Sequence, residues 1–170
     1  MSYEFEEVQP EEIKRKVENA IKTFIKEDGV LLNIKASERS IAHKFAEHLQ
    51  REFKEWNVDC EYNKDSHDLT ELDSKRLNSW NTDCKGMEEK KKGTTVYPDI
   101  IIHHRLTQEN LVVIEIKKTS NRDDGSCDRK KLCAFIRELK YHYGLFINFK
   151  VGNSIGIQEL EWFTKEECKT

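Results

Sequence analysis

Two runs dense in β-branched residues constrain this chain more than anything else in it: Val96-Tyr97-Pro98-Asp99-Ile100-Ile101-Ile102 and Val112-Val113-Ile114-Glu115-Ile116-Lys117-Lys118. Residues of this kind favour strands, and the polar stretch around Gln108-Glu109-Asn110 between the runs predicts a turn, hence an antiparallel hairpin. Yet each run carries charge where a buried strand should carry none, and buried carboxylates are rarely found unpaired. The two-residue period of a strand puts Val113, Glu115 and Lys117 on one face and Val112, Ile114 and Ile116 on the other. A carboxylate and an ammonium therefore point the same way from an otherwise apolar strand. That is the pattern of a site.

Around the hairpin the chain alternates helical and extended patterns. Residues 11–26 set Ile13, Val17, Ala20, Ile21, Phe24 and Ile25 at helical spacing among Glu, Lys and Arg, an amphipathic helix. Asp28-Gly29 ends it, and Val30–Ile34 is a short apolar stretch that reads as a strand. Ser37 suits an N-cap for a second helix over 37–56, burying Ile41, Phe45, Leu49, Phe53 and Trp56. Val58–Asn63 alternates as a half-buried strand does. Residues 64–95 hold little apolar content beyond a short helix around 69–80, and a connection this long predicts an insertion or flap beside the site. Strands at 97–104 and 111–117 form the hairpin. Asp128–Tyr141 reads as a helix with Asp128 as N-cap, Leu145–Phe149 as a central strand and 154–163 as an edge strand. The last core strand returns after a helical crossover, so it is expected parallel to its neighbour. The whole, one domain over 1–170, is α/β: a mixed central sheet flanked by helices.

Composition narrows the function. With 36% charged and 36% hydrophobic residues and no apolar run near the ~20 residues of a membrane span, the expectation is a cytoplasmic protein without a membrane partner. The acidic Met1–Glu7 segment lacks the order of a signal peptide. Five cysteines without a Cys-x-x-Cys pair are expected as reduced thiols, and a structural zinc site is disfavoured. Net charge of −3 gives no global basic field, but Lys90-Lys91-Lys92, Lys117-Lys118 and Arg129-Lys130-Lys131 bracket the charged strands.

Pro98-Asp99 at a strand start, followed by Glu115-Ile116-Lys117 in the next strand, resembles the PD-(D/E)xK nuclease superfamily, the restriction-endonuclease-like fold. The resemblance covers residues 37–150 and includes the αβββαβ order of elements. It implies a metal-dependent phosphodiester hydrolase acting on DNA, with Asp99, Glu115, Lys117 and Glu38 as catalytic residues. Asp99, Glu115 and Glu38 would bind Mg²⁺, with Mn²⁺ as substitute; Glu47 is the alternative to Glu38, and Asp128 and Lys131 resemble accessory positions. Mg²⁺ prefers oxygen ligands and keeps several waters, so two or three carboxylates suffice, while Lys117 would steady water or developing charge. Lys118, Lys130 and Lys131 are the expected nucleic-acid contacts, and a homodimer would let both strands be cut.

Blander readings stand beside these. Glu115 and Lys117 also suit a cross-strand ion pair, Asp99 a turn, and Glu38 the favourable end of a helix dipole. His103-His104 point to opposite faces, His43 and His48 are five apart, and neither pair has good ligand spacing. Tyr141, Tyr143 and Trp80 suit packing better than base stacking. Two other functions fit the residues: a binding or assembly module on a nuclease-like scaffold, and a nuclease of RNA or branched DNA.

Overall fold

The computed structural model describes residues 9–64, 76–77, 84 and 94–169. Helix α1 (Pro10–Asp28) opens on a proline at its first position and acidic residues in its first turn, and buries Ile13, Val17, Ala20, Ile21 and Phe24. The 30–34 stretch expected as a strand is instead a single helical turn, α2 (Val30–Asn33). Only Leu32 of that turn is buried, while Val30 and Ile34 face solvent, so the segment reverses the chain between two helices instead of joining a sheet. Helix α3 (Glu38–Glu52) starts where Ser37 Oγ accepts the Ser40 N–H at 3.1 Å, the capping expected for serine.

Five strands form the main sheet: β1 (Asn57–Cys60), β4 (Ile100–His103), β5 (Asn110–Lys118), β6 (Tyr143–Lys150) and β7 (Gly156–Phe163), in that spatial order. Two short strands, β2 (Arg76–Leu77) and β3 (Thr94–Thr95), pair separately. The helix expected around 69–80 lies mostly outside the described residues, and where the chain is described it contributes β2. Lys90–Lys92 and Trp80 also lie outside the described residues. All pairings in the main sheet are antiparallel except β5 with β6. That parallel pair is joined through α4 (Ser126–Glu138), as the crossover predicted.

Helix α4 begins two residues earlier than expected, and Asp128 is not its cap. Asp123 accepts the Gly125 N–H and Asp124 the Ser126 N–H, both at 2.9 Å, while Gly125 takes φ +74° as the N-cap. A Cβ at Gly125 would lie 2.5 Å from the Phe146 ring, so glycine is required there twice over. The two aspartates thus shape the turn that leads into Gly125, and Asp128 is left to point elsewhere.

The sheet is covered on both faces. On one, α1 and α3 pack with Ile100, Ile102, Val112, Ile114, Ile116, Ile147 and Phe149, and Phe24, Phe45 and Phe149 meet with ring centroids 5.5–5.9 Å apart. On the other, α4 brings Leu132, Phe135 and Ile136 against Ile101, Val113 and Phe146. This division confirms the alternation read from 112–118. Two disulfides, Cys84–Cys127 and Cys133–Cys168, replace the expected reduced thiols, with Cys60 unpaired. Partners 43 and 35 residues apart meet only because α4 lies across the sheet, which spacing along the chain does not reveal. Among the described residues no helix is long and apolar enough to cross a membrane.

Candidate functional site

The β4–β5 register pairs Ile100 with Ile114 and Ile101 with Val113, and one step further it brings Asp99 across from Glu115. Both fall on the α4 face that Ile101 and Val113 also line. Like charges directly opposite one another are destabilising in a sheet, so this pairing needs compensation. Part of it is local. Asp99 precedes β4 in a bend, and its Oδ2 accepts the Ile116 N–H at 2.8 Å, occupying a donor of the strand beside it.

The rest comes from α4. Lys131 Nζ lies 2.9 Å from Glu115 Oε1 and donates to the Tyr97 carbonyl at 3.2 Å, which ties the helix to both strands of the hairpin. One turn earlier, Asp128 Oδ2 stands 3.1 Å from Lys117 Nζ, with Asp123 at 3.8 Å on the rim. Side-chain exposure is 3% for Glu115 and 11% for Lys131, so this pair is sealed from water. Lys131, expected to meet nucleic acid, therefore turns inward: its ammonium is the counter-charge of the hairpin's carboxylates.

Glu38 reaches the same place from the first turn of α3. Its Oε1 accepts the Asn121 side-chain amide at 2.9 Å and the Lys118 N–H at 3.3 Å, just past the charged end of β5. The Lys118 ammonium binds the carbonyls of Lys35 and Ala36 at 3.1 and 2.9 Å, closing the turn before α3, while Lys130 is exposed on α4. Glu47 is exposed further along α3 and pairs with Lys44 at 2.9 Å; it does not join the group. His103 bonds Asp59 at 2.8 Å, His104 stacks on Trp56 and His43 is solvent-exposed. Glu27, Asp28 and His48 form a second cluster, but His48 bonds Asp28 at 2.6 Å and Glu27 bonds Arg51 at 2.9 Å, bracing α1 on α3.

The site's electrostatics follow from crowding. Burial pushes the Asp99 carboxyl above its ordinary value, the Ile116 N–H and Lys131 oppose this, and Asp128 and Glu38 add to it. Burial pushes Glu115 further, to about 8, against the pull of Lys131 and with the help of Asp99 and Asp128. The Lys117 ammonium is held above its ordinary value: burial works against the charge, but Asp128, Glu38 and Asp123 outweigh it. Lys131 is likewise raised, Glu115, Asp99 and Asp128 together overcoming burial. With Asp123 on the rim left aside, four ionised carboxylates (Glu38, Asp99, Glu115, Asp128) face two ammoniums (Lys117, Lys131) and leave an excess of two negative charges. Protonating Glu115 relieves part of that excess; a divalent cation would relieve all of it. Glu115 Oε1 and Asp128 Oδ2 are shielded from water, each facing a lysine ammonium, at 2.9 and 3.1 Å, so this face carries sheltered carboxylate oxygens of the kind a hard cation prefers.

The sequence offers Lys131 both as an accessory position and as a nucleic-acid contact, and the structure turns it inward against Glu115; Glu38 lies at the end of β5 beside Asn121, and Glu61, just after β1, carries no signal in the sequence. Comparison with protein-family models, curated proteins and solved structures returns no match.

Proposed function

We propose that this chain is a divalent-metal-dependent phosphodiester hydrolase of the PD-(D/E)xK type, acting on DNA. The observation that carries the reading is the register that faces Asp99 with Glu115 while Lys117 follows on the same side of β5. The element order supports it: α3, β1, β4, β5, α4 and β6 run helix, three strands, helix, strand, with β6 parallel to β5.

Asp99, Glu115 and Glu38 would hold Mg²⁺ or Mn²⁺, which when bound lowers the pKa of a water and polarises the phosphodiester. This chain's own residues do the remainder. Asp128 holds the Lys117 ammonium at 3.1 Å, charged and aimed along the carboxylate face, where it offsets the negative charge that develops on the phosphate. Lys131 keeps Glu115 and the Tyr97–Asp99 segment at fixed separation, so the ligand oxygens are positioned before the cation arrives. Uncatalysed phosphate-ester cleavage is slow enough that accelerations can exceed about 10¹⁵-fold, and charge stabilisation in a sheltered site is the natural source of much of it.

Nicking of supercoiled plasmid and digestion of single-stranded DNA test the reading, with and without EDTA and with Lys117→Ala. Activity that survives both treatments overturns it. The Lys131–Glu115 pair favours a second reading, a binding module whose internal lysine stands where a cation would. Calorimetry separates the two: the hydrolase takes up Mn²⁺ with heat that Asp99→Ala abolishes, and the module shows none.

A further inference from the structure

Among the described residues, four with side chains adopt positive φ: Lys35, Glu61, Leu106 and Lys140. Positive φ is costly for any residue with a Cβ, and such conformations cluster at functional sites. Glu61, at φ +48°, turns the chain just after β1, and its N–H donates to the Asp99 carbonyl at 3.2 Å. Its carboxylate Oε1 accepts from Arg39 Nε at 3.1 Å and lies 3.0 Å from Arg39 Nη2. Arg39 is the neighbour of Glu38 in the first turn of α3. The pair thus spans the gap between the backbones of two candidate ligands.

Stability does not account for this arrangement. An ion pair whose side chains are 80% and 44% exposed contributes little, and a cation in the first turn of a helix opposes the dipole. The strained backbone at Glu61 adds cost. What the arrangement does provide is an outward-facing guanidinium at a site with excess negative charge. Lys131 is committed to the buried Glu115 and Lys118 to backbone carbonyls, while Lys117, held against Asp128 and Asp123, is already assigned to the group that is cleaved. A phosphodiester approaching that excess charge needs a cation that is still reachable from solvent, and the edge of the Arg39 guanidinium turned away from Glu61 can offer N–H groups to phosphate oxygens.

We propose that Arg39, held in place by Glu61, binds a backbone phosphate of the substrate beside the one that is cleaved. The inference rests on the nuclease reading for its substrate class. Glu61 is then a positioning residue, and its strained backbone sets the direction in which the fork points.

Fluorescence anisotropy of a short labelled DNA duplex, with Ca²⁺ in place of Mg²⁺, tests this without requiring turnover. Arg39→Ala should weaken binding about tenfold and lower the slope of log affinity against log salt by about one. Arg39→Lys should recover only part of the loss, Glu61→Gln should fall between, and thermal unfolding should be unchanged in all three. In Mg²⁺ the KM of Arg39→Ala should rise while kcat stays within about twofold, the mark of uniform binding. Equal affinity and equal salt slope in Arg39→Ala would overturn the proposal, as would a wild-type protein that binds no DNA. Failure of the nuclease reading looks different: Arg39-dependent binding would persist in a protein that never cleaves.

Discussion

Replacing Lys131 by methionine isolates how the site manages its excess charge. Methionine preserves the bulk of the buried stem, so the change is electrostatic more than steric. Lys131 Nζ lies 2.9 Å from Glu115 Oε1. With charge centres about 4 Å apart and an effective dielectric near 20, that attraction is about 4 kcal/mol. Glu115 sits at about 8 in the folded chain, against about 4.3 for an unfolded glutamate. The folded state therefore binds this proton more tightly than the unfolded state does. Its contribution to stability is fully present at low pH and falls by about 1.4 kcal/mol per pH unit as the unfolded carboxyl ionises alone. In the wild type the fall ends near pH 8, where Glu115 ionises against Lys131. Without Lys131 the carboxyl keeps its proton to higher pH and the fall continues. Near pH 7 both proteins hold the proton, so the variant differs there only by the lost bond to the Tyr97 carbonyl and the lost attraction to Asp99, whereas from pH 8 to 10 it should lose about a further 2–3 kcal/mol relative to wild type. Urea unfolding in EDTA at each pH unit from 6 to 10 measures this. Parallel stability curves above pH 8 would refute the buried-pair reasoning.

The same proton competes with a cation, so Mn²⁺ affinity measured by calorimetry should rise from pH 6 to 8, by up to about tenfold per pH unit; Glu115→Gln should flatten the dependence. Lys117→Met should lower kcat for nicking by about 10²–10³-fold while Mn²⁺ uptake persists, since the ammonium is argued to act on the phosphate. Phe149→Ala removes the shared ring of the Phe24–Phe45–Phe149 cluster and should cost about 3–5 kcal/mol in urea unfolding. Thiol titration of denatured, unreduced protein should give one reactive group, Cys60, because four of the five cysteines are paired; five would disprove both disulfides.

The parts of the fold legible in the sequence are those where local pattern and tertiary packing agree. The α1 stripe, the capping serine at 37, the hairpin and the parallel return of β6 each rest on a local signal (a period, a cap or a helical crossover) that the packing leaves intact. Two of the misreadings fall where a polar side chain takes a backbone donor. Asp123 and Asp124 start α4 early and displace Asp128 from the cap. The Asp99 carboxylate replaces a ladder partner, so β4 begins at Ile100 and not at Tyr97. Glu61 turns out of β1 at a conformation that residue type gives no hint of. In the apolar 30–34 stretch, hydrophobicity alone could not separate a strand from a single helical turn.

The site shows the same division more sharply. Spacing along β5 gives the face that Glu115 and Lys117 share, because alternation is a property of one strand. What neutralises that face is not a property of any one strand. Lys131 and Arg39 both sit in charged helical stretches; the sequence offers Lys131 as an accessory position or a nucleic-acid contact and gives Arg39 no role. Three-dimensional packing separates them: Lys131 lies on the inner side of α4 against a buried glutamate, whereas Arg39 is drawn across the open end of the sheet by a carboxylate on a strained turn. A buried lysine beside a carboxylate lowers the local negative potential and is closed to a ligand from solvent; an exposed arginine is open to one and leaves the carboxylates nearly unchanged. Lys131→Met should therefore move the pH dependence of cation uptake and not the salt dependence of DNA binding, and Arg39→Ala should do the reverse. If either substitution moved both, the two cations would not have the separate tasks the geometry assigns them.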